Sequence, residues 1–435
     1  GVNYSGQAIS RLDEMLRENT TPAEQANDRY EVACLGTAVL SSDFESSYSI
    51  DNLLDTLHKK SPEEWLEEIR VSGLRGRGGA GFPMAFKLDA CRKAAGDTKY
   101  VVCNADEGDP GAYSDRYLLE QQALRVIWGM YIAGYVLGAQ EGVMYIRAEY
   151  PEAVRQFEKA LQRWESQHQL WTRDGHEAFP FKIYTIAAQG AYICGEETAL
   201  LSSIEGQRPE VRVRPPYPAQ KGLFNKPTVV QNVETLACLP FILMHGGETF
   251  ASIGNGKSTG TKLVSLDRHF NRPGIYEADM GTPLARILEE GGKGFREPVK
   301  ALHIGGPLGG LVPATHINQL TLDFESFQQQ GFLLGHASVV CLPRDFSILT
   351  YIEHLFRFTA HESCGKCFPC RIGSTRGYEM IAMAQEGKRK INRELLTDLL
   401  ETLESGSLCA LGGGLPLPIR NALQYFEDEM NPWLE

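Results

Sequence analysis

Ten cysteines occur in this 435-residue chain, and four of them are spaced for metal chemistry. Cys364, Cys367 and Cys370 follow one another at C-x2-C-x2-C intervals, and Cys409 stands apart in Ser407-Leu-Cys409-Ala-Leu-Gly412. Three thiolates from one tight turn plus a fourth from a remote segment suit the four iron corners of a [4Fe–4S] cubane. Structural zinc more often uses two separated C-x2-C pairs, and Cys409 has no nearby cysteine to complete one. A cubane passes single electrons, so these residues point to a redox relay with one such cluster. The other six cysteines are dispersed, several in apolar strings such as Val101-Val-Cys103, where a small buried hydrophobe is expected. An acidic chain with scattered cysteines suits a reducing cytoplasm better than a disulfide scaffold.

A second set of residues suits a phosphorylated cofactor. Gly76-Arg77-Gly78-Gly79-Ala80-Gly81 is a literal G-x-G-x-x-G, followed by Phe82. That pattern marks a dinucleotide turn when it follows a strand. Here a helix should lead into it instead. Ser61 is placed as a cap, Pro62 as the first helical residue and Glu63 and Glu64 as first-turn acids. Cys103-Asn104-Ala105-Asp106-Glu107-Gly108-Asp109 puts an amide and three carboxylates at a strand end. Tyr192, Gly195, Glu196 and Glu197 fall in one glycine turn, and Thr228, Gln231 and Asn232 offer neutral hydrogen-bonding groups. Taken singly, the acids also read as a solvated loop or as first-turn partners of a helix dipole.

The elements that position these groups are legible in outline. Lys99–Asn104, Gly142–Arg147 and Phe181–Ile186 are short β-branched or apolar runs alternating with helical stretches, which predicts an α/β layer structure to about residue 245. Trp128–Ala139 is well short of the roughly 20 residues that span a bilayer and is expected to be a buried helix. Residues 251–343 predict a small α+β domain with strands at 262–266, 274–277 and 301–304 and a helix at 283–290. From 344 onward apolar spacing at Ile348, Ile352, Leu355 and Phe356, and at Leu395, Leu396, Leu399 and Leu403, predicts a helical bundle. Residues 1–60 carry no motif and are expected to form an N-terminal extension used as docking surface; no secretory signal is visible. The net charge of −12 and the lack of a long basic tract argue against nucleic-acid binding.

In order, SGLRGRGGAGFP, VCNADEGDPG, GAYICGEETALL, KPTVVQNVETLA, ESCGKCFPCR and SLCALGG resemble the NADH-binding flavoprotein subunit family of respiratory complex I. That family also contains the diaphorase subunits of soluble NAD-linked hydrogenases and formate dehydrogenases. The resemblance covers about residues 60–430. It implies FMN, NAD(H) and one [4Fe–4S] cluster on a Rossmann-like FMN/NAD domain (61–250), a ubiquitin-like β-grasp domain (251–343) and a C-terminal four-helix bundle (344–435). It places Gly76, Gly78, Lys87, Asn104, Asp106, Glu196 and Asn232 along FMN, Phe82 on the NADH adenine and Glu197 on the adenosine ribose. Tyr192 matches another cofactor-pocket position. The same motifs bring Arg77, Gly79, Gly81, Glu107, Gly195 and Thr235 into the expected cofactor-binding set, and Cys364, Cys367, Cys370 and Cys409 to the cluster.

Five positions depart from the family pattern. Asp109 replaces Glu, Gln231 replaces Asn, Arg214 and Tyr217 replace Lys and Phe, and Ala90 stands where some members carry an aromatic. The implied reaction is hydride exchange between nicotinamide and FMN, with single electrons passed through the cluster and no acid–base residue required. The implied partners are a [2Fe–2S] subunit and a catalytic subunit, without direct membrane insertion. Arg371-Ile-Gly-Ser-Thr-Arg-Gly and Cys409-Ala-Leu-Gly-Gly look most like soluble NAD-dependent formate dehydrogenases, ahead of a nickel–iron hydrogenase and of complex I. A zinc-stabilised interaction subunit is the competing reading from another class.

Overall fold

A computed structural model describes residues 31–173, 179–188 and 190–435. Its first layer is a four-stranded, wholly parallel sheet: β2 (Tyr100–Ala105), β3 (Glu141–Arg147), β4 (Lys182–Ala188) and β5 (Thr228–Asn232), in the spatial order β4-β3-β2-β5. The first three fall where the apolar runs predict them. The strand at 228–232 was expected only as a polar motif, although Thr228-Val-Val is itself a β-branched run. Parallel strands require crossover helices. These include α4 (Ser114–Gln121), α5 (Ala123–Leu137) and α6 (Pro151–Arg173), which follow α1 (Ile50–His58), α2 (Pro62–Val71) and α3 (Met84–Lys93) along the chain.

The apolar helix α5 is buried along nearly its whole length, as its composition demands. Its glycines have a packing reason. A Cβ on Gly129 would stand 2.1 Å from the carbonyl oxygen of Leu236, so the helix lies directly on the backbone that follows β5. Helix α2 starts with the expected capping box: Ser61 Oγ accepts from the Glu64 N–H, and the Glu64 carboxylate accepts from the Ser61 N–H. It ends at Val71, immediately before the glycine loop. The loop is therefore entered from a helix, and it closes on itself through Gly76 N–H to Phe82 O at 2.9 Å.

The second layer is a six-stranded mixed sheet in the order β1 (Glu31–Cys34), β7 (Gly274–Asp279), β6 (Thr261–Leu266), β10 (Ser338–Pro343), β8 (Val299–Ile304), β9 (Gly310–Pro313). β1 pairs in parallel with β7, so residues 31–34 of the expected extension complete a sheet whose other strands lie far downstream in sequence. Behind it, the buried Glu277 carboxylate accepts the N–H groups of Val39 (3.0 Å), Leu40 (2.8 Å) and Ser41 (2.8 Å). Leu53, Leu54 and Leu57 of α1 join the core of the first layer. Residues 31–58 are thus woven into both layers; residues 1–30 lie outside the described part. The helix expected at 283–290 forms as Leu284–Arg286 continued by a π-turn to Gly291.

Four longer helices follow: α8 (Ile348–Glu362), α9 (Ser374–Gln385), α10 (Arg393–Gly406) and α11 (Pro416–Tyr425). They share a core that includes Ile348, Ile352, Leu355, Phe356, Leu396, Leu400 and Leu403. Leu395, counted by spacing with that face, is half exposed instead. Among the described residues, no helix is long and apolar enough to cross a membrane.

Candidate functional site

The strand order itself creates a site. From β2 the chain winds outward through β3 to β4, then returns to place β5 on the other side of β2. The carboxyl ends of β2 and β5 are thus neighbours across a reversal of winding, with Asn104 opposite Asn232. Crevices of this kind are where open parallel sheets bind ligands. The glycine loop packs against the same end: a Cβ on Gly78 would stand 2.9 Å from Asn232 Cβ, and Gly79 has φ +124°, a conformation open to glycine. The Arg77 N–H donates to Thr235 Oγ1 at 2.8 Å, tying the loop to the turn after β5.

The carboxylates and amides of the predicted set converge here. Asn104 Nδ2 donates to Gly195 O at 2.8 Å, and the Asp106 N–H donates to Asn104 Oδ1 at 3.1 Å. Asp106 is buried with Oδ2 unpartnered. Burial pushes its pKa up to about 7, against the pull of Arg147. Asp109 Oδ1 accepts from the Tyr192 hydroxyl at 2.8 Å, and burial raises that carboxyl too. Glu196 caps α7 (Glu197–Ile204), its Oε2 accepting from the N–H groups of Thr198 and Ala199 at 2.9 Å. Glu197 lies between two cations, Lys87 Nζ at 2.8 Å and Arg214 Nη1 at 3.2 Å.

Other predicted residues sit differently. Phe82 is 44% exposed and meets Phe86 edge-on, with ring centroids 5.4 Å apart; Tyr217 is also exposed. The Arg77 side chain is fully buried, with Nη2 donating to Thr259 O at 2.5 Å. Glu107 turns into the interior, where Oε1 accepts from the Asp115 N–H (2.9 Å) and Oε2 from the Arg116 N–H (3.1 Å), at the start of α4. These contacts make the Glu107 side chain a helix cap rather than a wall of the crevice.

The four spaced cysteines also meet. Cys364, Cys367, Cys370 and Cys409 gather with Ile193, Val211 and Leu411 in one apolar cluster, directly against the Tyr192–Gly195 turn. A Cβ on Gly412 would stand 2.7 Å from Cys370 Cβ, so this glycine lets the Cys409 turn close on the three-cysteine turn. Burial pushes the Cys370 and Cys409 thiols up to about 11 and about 12, and their cysteine neighbours add to both shifts. Such thiols become thiolates only where a metal cation outweighs the cost of burying charge.

The crevice and the cysteines are linked by the predicted Tyr192 through Glu362 and Phe358, whose meeting with it spacing did not single out. The Tyr192 N–H donates to Glu362 Oε2 at 2.8 Å, two positions before Cys364, and its ring meets Phe358 at 5.1 Å. Asp115 and His336 also lie behind the crevice, buried beside Glu107. Their sequence contexts, Tyr113-Ser-Asp115-Arg and Leu334-Gly-His336-Ala, carry no signal of this meeting.

The residues present fit both expected groups. Asp106 Oδ2 and Gln231 Nε2 are buried at the strand ends without partners, as a polar ligand in the crevice would require. Glycines line its loop wall, and a convergent four-thiol set adjoins it.

Comparison with known proteins agrees. The family model described as "Nuo51 FMN-binding domain" matches residues 69–240, and that described as "NADH-ubiquinone oxidoreductase-F iron-sulfur binding region" matches residues 350–432. The chain is 38% identical over 399 residues to an F-type NADH-quinone oxidoreductase subunit of Rhizobium meliloti (strain 1021), covering 91% of this chain and 94% of the relative. It is 38% identical to NADP-reducing hydrogenase subunit HndC of Solidesulfovibrio fructosivorans over 85% of this chain and 76% of that one. A chain of an NAD+-reducing [NiFe]-hydrogenase crystal structure superposes with a TM-score of 0.87 at 30% identity, covering 98% of this chain and 71% of that chain. The chain belongs to the family of F-type NADH-quinone oxidoreductase subunits, NADH-binding oxidoreductases that use FMN and a [4Fe–4S] cluster.

Proposed function

We propose that the chain is the diaphorase subunit of a soluble NAD-linked enzyme, exchanging hydride between NAD(H) and FMN and passing electrons singly to iron–sulfur partner subunits in the cytoplasm. The observation that carries this reading is Tyr192. Its hydroxyl is fixed on Asp109 in the crevice, and its N–H on Glu362 beside the cysteine turn. One residue thereby holds the two redox sites in register.

Bound FMN supplies the hydride acceptor and the cluster the one-electron carrier. The chain's own residues do the positioning. Gly76, Gly78, Gly79 and Gly81 let the loop backbone approach the flavin. Asn104, Asp106, Glu196, Gln231 and Asn232 present polar groups along it, with Gly195 and Thr235 fixing the turns behind them. Lys87 stands over the same crevice, paired with Glu197. Cys364, Cys367, Cys370 and Cys409 hold the cluster. Phe82 and Tyr217 offer exposed rings for the nicotinamide cofactor, and Arg214 orients Glu197 for its ribose. In this reading residues 251–343, whose mixed sheet β1 completes, are the β-grasp domain and α8 to α11 are the four-helix bundle.

Glu197 then sets cofactor choice, since its carboxylate repels a 2′-phosphate. Glu197→Gln removes that repulsion and leaves Lys87 and Arg214 as uncompensated cations. The kcat/KM ratio of NADPH to NADH is expected to rise about tenfold or more, the equivalent of roughly 1.4 kcal/mol. Steady-state kinetics with both cofactors checks this; an unchanged ratio removes Glu197 from the ribose.

For the catalytic partner we favour a formate dehydrogenase, on the sequences following Cys370 and Cys409. A nickel–iron hydrogenase is the second reading, supported by the similarity to HndC and to the hydrogenase chain. Affinity purification of the chain from its native cell, with metal analysis of the complex, separates them. Molybdenum or tungsten supports the first, and nickel the second.

A further inference from the structure

A buried cluster of three titratable side chains among the described residues has no task in the mechanism. Glu107, Asp115 and His336 are 4%, 2% and 5% exposed. His336 Nε2 lies 3.4 Å from Asp115 Oδ2 and 3.7 Å from Glu107 Oε1. Two buried carboxylates this close are costly unless a cation stands with them. The imidazole is placed to be that cation.

The group reaches the flavin crevice through the Asn232 side chain. Asp115 Oδ2 also accepts from Asn232 Nδ2 at 2.6 Å, while Asn232 Oδ1 accepts from the Thr235 N–H at 3.3 Å. Asn232 is in turn the side chain against which Gly78 packs. On the other side, the backbone around Gly335 and His336 is what a Cβ on Gly79 would first meet, at 3.9–4.0 Å. His336 therefore backs the glycine loop with its main chain and reaches the end of β5 through Asp115.

We propose that His336 is a positioning residue of the flavin site: as an imidazolium it anchors Asp115, which fixes the Asn232 amide against the glycine loop. The inference deepens the reading of the crevice as an FMN site and rests on it.

The surrounding charges agree with the geometry. Burial opposes the imidazolium, but the hydrogen bond and charge of Asp115, joined by Glu107, outweigh it and hold the pKa at about 9. The groups that face His336 are Asp115 on α4, Glu107 and Asp109 on the loop after β2, and Lys262 on β6. Lys262 is already paired with the buried Glu234. The folded pKa lies above the ordinary histidine value, so the anchoring charge is present at neutral pH and is lost as pH rises through about 9.

The test compares full-length wild type, His336→Gln, Asp115→Asn and the double variant, each stripped of FMN and titrated back with it, with flavin fluorescence as the readout. Melting of each apoprotein checks folding. Each single change is expected to weaken FMN binding roughly ten- to hundredfold, the scale of a lost charge-assisted hydrogen bond. The double variant should lose no more than the weaker single one, because the two residues act in series. Wild-type affinity should fall above about pH 9 while that of His336→Gln stays flat. Wild-type-like affinity in His336→Gln, or losses that multiply in the double variant, overturns the proposal. So does stoichiometric zinc in the wild type that His336→Gln removes, since the three groups would then be a metal site. A wild-type chain that binds no FMN overturns the crevice assignment itself, a failure distinct from that of the variants.

Discussion

Cys409→Ser is expected to strip the chain of its cluster while leaving the flavin reducible by NADH. Iron should fall from about four per chain to near zero, because a cubane needs a thiolate at each corner. The hydroxyl of serine cannot replace the thiolate in a pocket that already raises the thiol's pKa to about 12 by burial. The crevice should survive, since β2, β5 and the glycine loop do not contain Cys409, and the Tyr192–Gly195 turn beside it is held by Tyr192's own hydrogen bonds to Asp109 and Glu362. Transfer to a one-electron partner subunit should fall by more than roughly a hundredfold, beyond the loss that follows removal of a mere supporting group around a metal. Iron assay and anaerobic bleaching with NADH read the two effects separately. Retained iron, or a flavin that NADH no longer bleaches, contradicts the division of labour.

Gly78→Ala should have the opposite signature: iron retained and FMN lost. The added Cβ would stand 2.9 Å from Asn232 Cβ, closer than two such carbons come. Asn232 has little freedom to yield, being held by Asp115 on one side and Thr235 on the other. Overpacking of this kind costs about 1–3 kcal/mol. Borne by the flavin site, it amounts to roughly a five- to hundredfold loss of FMN affinity. The flavin-to-iron ratio of the purified variant reads it directly. A ratio equal to that of the wild type would mean that the loop does not bear on the flavin.

The parts of this architecture that were legible in sequence are local ones. The cysteine spacing, the capping box at Ser61 and the β-branched or apolar runs at 99–104 and 142–147 each express short-range chemistry, and each reappears in place, the strands at 100–105 and 141–147. The helix before the glycine loop was legible for the same reason. It explains why a literal G-x-G-x-x-G here is not a Rossmann turn: the loop packs against the end of β5 instead of continuing from a strand. What escaped depends on contacts between distant segments. β1 is only a short strand and acquires its strand character by pairing with β7. The burial of Glu107 as a cap for α4, and its meeting with His336, follow from the packing of the second sheet on the first. Leu395 fits an apolar spacing that also admits an outer face, and only the packing of α10 against its neighbours decides between them.

The most direct measurement is an anaerobic NADH titration of the iron-replete chain, following flavin absorbance and the EPR signal of the reduced cluster together. The chain should contain FMN, its flavin should bleach on adding NADH, and a reduced [4Fe–4S] signal should appear. A chain replete in metal that is colourless, holds zinc in place of iron or binds no FMN contradicts the assignment.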